Sequence, residues 1–430
     1  MKRILTLAVL LLACTTASFA CTSVIITGKA TKDGRPLMWK NTDGGSYYSA
    51  QRFTYQDGGR YAWVGLAQDK NPSSAWFGAN EAGFCIMNTK SHNLITDPVL
   101  KEKISNGYYM KEALDICRTL KDFTNMLDTI HTPKRYITAS HYGVIDAEGG
   151  AAYVEVRFDG EKVEYWVYDV NDPELAPDGY MVYTNYSRNG EEGMGGGYIR
   201  YMNACEVFAE GLAGKEYTPQ WIFDHGSRCY RNALVDVDLR KMVDNGQKVG
   251  WFPDSDFIPR NTTLVASVVQ GVKPGEDPQF TTLWTIPGCP STGVAVPAWV
   301  AGGMEGLNEL IRGNDNNHND RDIEGNNSIM GDFSLKLKTQ VFSLVPGNGQ
   351  KYLNFEKLYN VEGTGYMQQL APLEKKIGEM TEKQLAKWRK AGRIDLKELE
   401  RLNRRICDEV YGTPLFQDLP WSYTYGKIGN

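Results

Sequence analysis

The chain of 430 residues has no Cys-x-x-Cys pair, and its five histidines are scattered. A zinc ribbon, a thioredoxin-like redox pair and a histidine metal cluster are therefore not expected. No Gly-x-Gly-x-x-Gly follows a strand-like run and no Walker-type loop occurs, so nucleotide chemistry has no support. Neither sign of charge dominates. The 47 Lys and Arg face 52 Asp and Glu, a net of -5, which leaves no electrostatic case for nucleic acid. After the N-terminal stretch no apolar run approaches the roughly 20 residues of a membrane span. What is plentiful is apolar residues, 42% of the chain, with 44 Gly and 24 Tyr. That composition suits a large buried core with strands and tight turns.

The first 20 residues read as a secretion signal. Lys2 and Arg3 precede an apolar run from Ile4 to Ala13, and Ser18-Phe19-Ala20 closes it as a small-x-small cleavage site. A cut after Ala20 makes Cys21 the first residue of a periplasmic or secreted protein. Lipidation at Cys21 is disfavoured by the bulky Phe19; Cys14, after Leu11-Leu12-Ala13, is the lesser alternative as a lipoprotein site. An N-terminal cysteine joins a thiol to a free α-amine. Such amines titrate at about 7.7–8.0 and free thiols at about 8.5, so one residue supplies both nucleophile and base. Seven cysteines follow Cys14, an odd number. They fit one free thiol with up to three disulfides, or several buried free thiols.

Strand-like runs come first. Residues 21–27 and 36–41 flank Asp33-Gly34, a hairpin signal. Residues 61–66 and 75–78 form a second pair, and 84–88 a further strand after the turn Asn80-Glu81-Ala82-Gly83. Residues 110–117 and 121–130 have helical spacing. Residues 141–146 and 151–156 flank Ala147-Glu148-Gly149-Gly150, the clearest hairpin; 162–170 and 180–186 continue the sheet pattern, and a helix is expected over 198–212. Two strands are expected at 262–269 and 281–286. Residues 313–327 are rich in Asn and Asp. Asp315, Asn317 and Asn319 alternate as in a calcium loop, but its glycine and closing glutamate are missing, so a surface loop is expected. A charged amphipathic helical hairpin occupies 367–410. This order of elements predicts an α+β fold with antiparallel sheets covered by helices.

Lys40-Asn41-Thr42-Asp43 ends the strand that returns toward Cys21. A nearby cation favours thiolate, and a nearby carboxylate can orient the amine; an ordinary strand-end charge pair would read the same way. Cys21-Thr22-Ser23, Asp33-Gly34 and Asn41-x-Asp43 together resemble the start of the cysteine N-terminal nucleophile (Ntn) hydrolases. The branches most similar are the acyl-coenzyme A:6-aminopenicillanic acid acyltransferase-like proteins and the choloylglycine hydrolase/penicillin V acylase group. Asn80-Glu81-Ala82-Gly83-Phe84, Asp146-Ala147-Glu148-Gly149 and Tyr183-Thr184-Asn185-Tyr186-Ser187 extend the resemblance in order.

The resemblance implies an αββα sandwich of two antiparallel sheets between helical layers. It implies a catalytic domain over 21–365 and a C-terminal helical extension over 366–430 packed on that domain. Cys21 would be nucleophile and, through its amine, base. Asp43 would contact the amine, and Asn185 would help form the oxyanion hole, with Asn88 a second donor. Lys40 falls where the bile-salt and penicillin branch usually has arginine, and Arg228 resembles a distal family arginine by local context. Trp39, Trp63, Trp76 and Phe84 are candidates for an acyl pocket. The implied reaction is hydrolysis of a linear C–N amide in a small N-acyl substrate, bile-salt-like or penicillin-like, with no metal or organic cofactor. An acyltransferase or dipeptidase of the same superfamily would share the nucleophile. A homo-oligomer is compatible with all of these readings. In a rival class, an exported binding protein, Cys21 would be half of a disulfide.

Overall fold

The computed structural model describes residues 20–44, 52–68, 71–94, 106–130, 140–158, 163–312, 328–344 and 351–417. Residues 1–19 of the expected secretion signal, Cys14 among them, and the surface loop expected over 313–327 lie outside the described residues.

Two antiparallel sheets dominate. The first has the order β10-β1-β2-β14-β15-β16, built from β1 (Cys21–Ile26), β2 (Leu37–Asp43), β10 (Tyr180–Tyr183), β14 (Thr263–Gln270), β15 (Thr282–Pro287) and β16 (Val296–Ala298). The second runs in chain order: β3 (Phe53–Gln56), β4 (Trp63–Gln68), β5 (Asn71–Asn80), β6 (Cys85–Lys90), β7 (Ser140–Ile145), β8 (Ala151–Phe158) and β9 (Val163–Asp169). Two small sheets, β11 (Arg231–Asn232) with β12 (Val237–Asp238), and β13 (Trp251–Pro253) with β18 (Lys351–Asn354) and β17 (Phe342–Leu344), decorate the first sheet's side.

The predicted hairpins form. β1 pairs β2 in the register Cys21↔Thr42 and Ser23↔Lys40, and β7 pairs β8 across the 146–150 turn. In that turn Asp146 Oδ1 accepts from the N–H groups of Glu148 (2.9 Å) and Gly150 (2.8 Å). Gly149 takes φ +100°, which a side chain would resist. Asn80 plays the same part before β6. Its Oδ1 accepts from Ala82 and Phe84, and its Nδ2 donates to the carbonyls of Leu114 and Cys117. These motif residues build the frame.

Helices cover the outer faces. α1 (Asn106–Ile116) and α2 (Leu120–Asp128) lie on the second sheet, where Trp63, Phe84, Tyr109, Phe123 and Tyr142 form an apolar cluster. The capping box of Thr119 and Asp122 starts α2. α3 (Tyr198–Gly214), α4 (Ile329–Val341) and α5 (Tyr366–Ala391) lie against the first sheet, and α6 (Leu396–Tyr411) pairs with α5. The inner faces meet through Ser23 with Thr89 (3.3 Å) and Tyr153 (3.0 Å). The layers are therefore helix, sheet, sheet, helix, as the α+β reading expects. β1 is an interior strand of its sheet, between β10 and β2, and is covered on both faces. All six of its residues are buried, which explains the unbroken Val24-Ile25-Ile26 where a half-exposed strand would alternate. No helix among the described residues is long and apolar enough to cross a membrane.

Candidate active site

Cys21 opens β1 and is buried. Side chains alternate along a strand, so Cys21, Ser23, Lys40 and Thr42 share the inner face of the first sheet. Thr22, Trp39 and Asn41 share the outer face; there Trp39 Nε1 donates to Ser227 Oγ (2.7 Å) and Asn41 Nδ2 to the Ser227 carbonyl (3.0 Å). The Cys21 thiol is free, as are Cys85, Cys117, Cys205, Cys229, Cys289 and Cys407. No disulfide joins Cys21 to another cysteine among the described residues.

The Cys21 N–H donates to Asn185 Oδ1 (2.8 Å). The same oxygen accepts from Arg200 Nη2 (2.8 Å), and Asn185 Nδ2 donates to the Lys90 carbonyl (2.8 Å). A guanidinium only donates and a carbonyl only accepts, so the orientation of this amide is fixed on both sides. Arg200 Nη1 also donates to the Cys21 carbonyl (2.6 Å) and to Thr22 Oγ1 (2.8 Å). Burial, then Arg260, pushes the Arg200 guanidinium down to about 9, opposed by Asp43, Cys21 and Asp256; it remains charged at neutral pH.

Asp43 does not bond the Cys21 nitrogen. Its Oδ1 accepts from Thr263 Oγ1 (2.6 Å) and its Oδ2 from Arg260 Nη2 (2.5 Å), while its backbone N–H donates to the Ala20 carbonyl (2.9 Å). Burial pulls the Arg260 pKa down, but Asp43, with Asp254 and Cys21, raises it overall. Thr263 reaches Asp43 because β14 bulges: Thr263 opposes Asp43 and Val265 opposes Thr42, leaving Leu264 unpaired between them. Leu264 lies over Gly44, where a Cβ would stand 2.3 Å from its Cδ1. A side chain after Asp43 would have to push the Leu264 side chain aside.

Lys40 Nζ donates to Asn88 Oδ1 (2.9 Å) and to the Trp76 carbonyl (3.3 Å) across the two sheets. Since Lys40 only donates, the Asn88 Nδ2 group faces away from it. Thr42, the cross-strand partner of Cys21, is buried, and among the described residues its Oγ1 has no partner.

The structure thus brings Cys21, Asn185, Lys40, Asn88 and Asp43 into one linked cluster. It does not bring Arg228 there. Arg228 donates to Glu374 of α5 through both Nη atoms (2.8 and 2.7 Å) and to the carbonyls of Pro290 (2.8 Å) and Gly293 (3.2 Å). Its neighbour Ser227 lies against β2, but the guanidinium turns to the C-terminal helix. The arginines in the cluster are Arg200 and Arg260, which local motif matching did not reach. Arg200 carried one sequence signal: a cation in the first turn of a helix opposes the helix dipole and needs another reason to be there. The acyl-pocket candidates also disperse. Trp63 and Phe84 lie in the outer cluster under α1 and α2, and Trp39 packs outward on Phe208. Trp76 meets the site through its carbonyl.

A second polar group braces Asn185 from behind. Ser187 Oγ donates to Ser91 Oγ (2.8 Å) and bonds His141 Nε2 (2.7 Å), while the Ser187 N–H donates to Asn93 Oδ1 (2.7 Å). The His92 N–H donates to the Asn185 carbonyl (3.1 Å). Burial and then His92 push His141 down to about 3, so it is neutral.

No family model matches the chain, and no curated protein matches it. The solved structures similar to the chain at low identity include the following three. A mutant conjugated bile acid hydrolase from Clostridium perfringens is 13% identical, covering 67% of this chain and 93% of that one, with a TM-score of 0.39. Penicillin V acylase from Agrobacterium tumefaciens is 14% identical, covering 65% and 86%, with a TM-score of 0.36. A Caenorhabditis elegans N-acylethanolamine-hydrolyzing acid amidase ortholog is 13% identical, covering 58% and 92%, with a TM-score of 0.35. The functional reading rests on the geometry around Cys21.

Proposed function

We propose that the chain is an exported cysteine Ntn hydrolase that cleaves a linear C–N amide in a small N-acyl substrate, after removal of residues 1–20. The observation that carries this is the hydrogen bond of the Cys21 nitrogen to an Asn185 oxygen held in place by Arg200. A nitrogen with a fixed acceptor, beside its own thiol at the start of a buried strand, is poised to be an oriented base once it is an amine.

In the mechanism the Cys21 thiolate attacks the substrate carbonyl. The protonated α-amine gives its proton to the leaving nitrogen as the C–N bond breaks. A thioester remains, and water attacks it with the freed amine as base, releasing the acid and the thiolate. The developing oxyanion needs preorganised donors. The second Asn185 Nδ2 proton and the Asn88 Nδ2 group are the amides at hand, within the field of Lys40 and Arg200. Asp43, clamped by Arg260 and Thr263, fixes the strand end and supplies negative charge near the amine.

Cys21→Ala should lower acid release from a panel of N-acyl amides by about a thousandfold or more, with the intact mass of the active wild-type chain beginning at Cys21. Full activity in the alanine variant would sink the proposal, as would an active chain that retains Ala20.

A further inference from the structure

Lys40 stands opposite Ser23 of β1 and Ser267 of β14. Cys21 is two residues from Ser23, so its side chain is diagonal to Lys40 on the same face, within reach of a long side chain. The Lys40 amine is held by Asn88 Oδ1 and the Trp76 carbonyl, and among the described residues no carboxylate bonds it. A tetrahedral amine has one position left after Cε and those two bonds.

The groups around it are few. Cys21 faces it from β1, and Asp43 lies at the end of its own strand with both oxygens taken by Arg260 and Thr263. Asn88, Trp76 and Ser267 bring no charge from β6, β5 and β14. On β7, His141 is neutral and bound to Ser187, and Tyr142 lies in the outer cluster. Burial lowers the Lys40 pKa, opposed by Cys21 and then Asp43. A buried ammonium with only neutral acceptors is costly, whereas a neutral amine keeps both hydrogen bonds and turns a lone pair into the fourth position.

We propose that Lys40 is the acid–base partner of the Cys21 thiol. The S–H bond breaks and an N–H bond forms at Nζ, giving thiolate and ammonium, and the reverse transfer restores thiol and amine. Arginine in this place would supply a fixed cation and could not take the proton. The inference rests on Cys21 as nucleophile, but its test needs no substrate, so it fails separately from the amidase reading.

The test follows iodoacetamide alkylation of Cys21 by peptide mapping against pH, in protein expressed from the full chain, with Cys21→Ser as the blank for the other thiols. Intact mass reports the N-terminus of each sample. In Lys40→Met the reaction step should move to higher pH, and the rate at neutral pH should fall about tenfold, the effect of one pH unit. In Lys40→Arg the step should move to lower pH, with the rate at acid pH about tenfold above wild type. A Lys40→Arg profile superimposed on wild type would show a fixed cation and overturn the proposal, as would a superimposed Lys40→Met profile. Where Lys40→Arg does not fold, the shape decides: a coupled pair titrates in an extra step that Lys40→Met removes, and identical shapes overturn the pairing.

Discussion

Arg200 and Arg228 are both buried, and they use their donors differently. Arg228 meets Glu374 with both Nη atoms and gives its remaining bonds to two carbonyls. Burial lowers its pKa, but Glu374, with Asp224 and Cys289, raises it overall. Arg200 bonds a carbonyl, a hydroxyl and an amide oxygen, all neutral, and its pKa falls. Lys40 is in the same position as Arg200. Desolvation is offset by a carboxylate in one region and left standing in the other. The difference separates a lock between sheet and C-terminal helix from the proposed site, whose missing negative charge the reaction would create as thiolate or oxyanion.

The largest effect should come from breaking the lock. Glu374→Gln leaves a buried guanidinium unpaired and should cost about 3–5 kcal/mol in urea unfolding, with Cys21 alkylation of the folded protein unchanged. A loss of Cys21 reactivity without loss of stability would put Arg228 back in the site.

A smaller effect concerns the brace behind Asn185. His141 is held neutral well below the usual 6.5, so below about 6.5 the unfolded chain binds the extra proton. The stability this group provides is fully present above that pH and is lost as pH falls toward about 3, at about 1.4 kcal/mol per pH unit. Urea midpoints at stepped pH should show that slope, and His141→Gln should flatten it. An unchanged slope in the variant would assign the acid sensitivity elsewhere.

The smallest effect is expected at Thr42. Among the described residues its hydroxyl has no partner, so Thr42→Val should leave stability unchanged or raise it by up to about 1 kcal/mol in urea unfolding. A stability loss instead would show that the hydroxyl has a partner in the folded chain.

The frame was legible where signals are local. Asp33-Gly34 and the 146–150 turn announced their hairpins, and the periodicity over 367–410 announced α5 and α6. Lys40, Asp43 and Cys21 could be placed together because one hairpin carries all three. Asn88 and Asn185 come from strands far along the chain, and order within a resembling pattern was needed to connect them. Arg260 gave no local sign, because its partner Asp43 lies across the sheet on a strand far earlier in the chain. Arg228 misled because the chain does pass the site at Ser227, and nothing in the adjacent residues tells which way a guanidinium turns.

The bulge at Leu264 bears on how this chain tolerates change. Loop segments can gain or lose residues with little consequence, but β14 is phased by one surplus residue. Deleting Leu264 would keep Thr263 opposite Asp43 and Val265 opposite Thr42, but it would straighten the strand and remove the carbonyl that accepts from the Gly288 N–H. The clamp on Asp43 would then be held by a flatter strand end while every residue of the cluster remained in the sequence. Among descendants of this chain, a missing residue at 264 would therefore separate what the bend contributes to Asp43 from what its partners contribute.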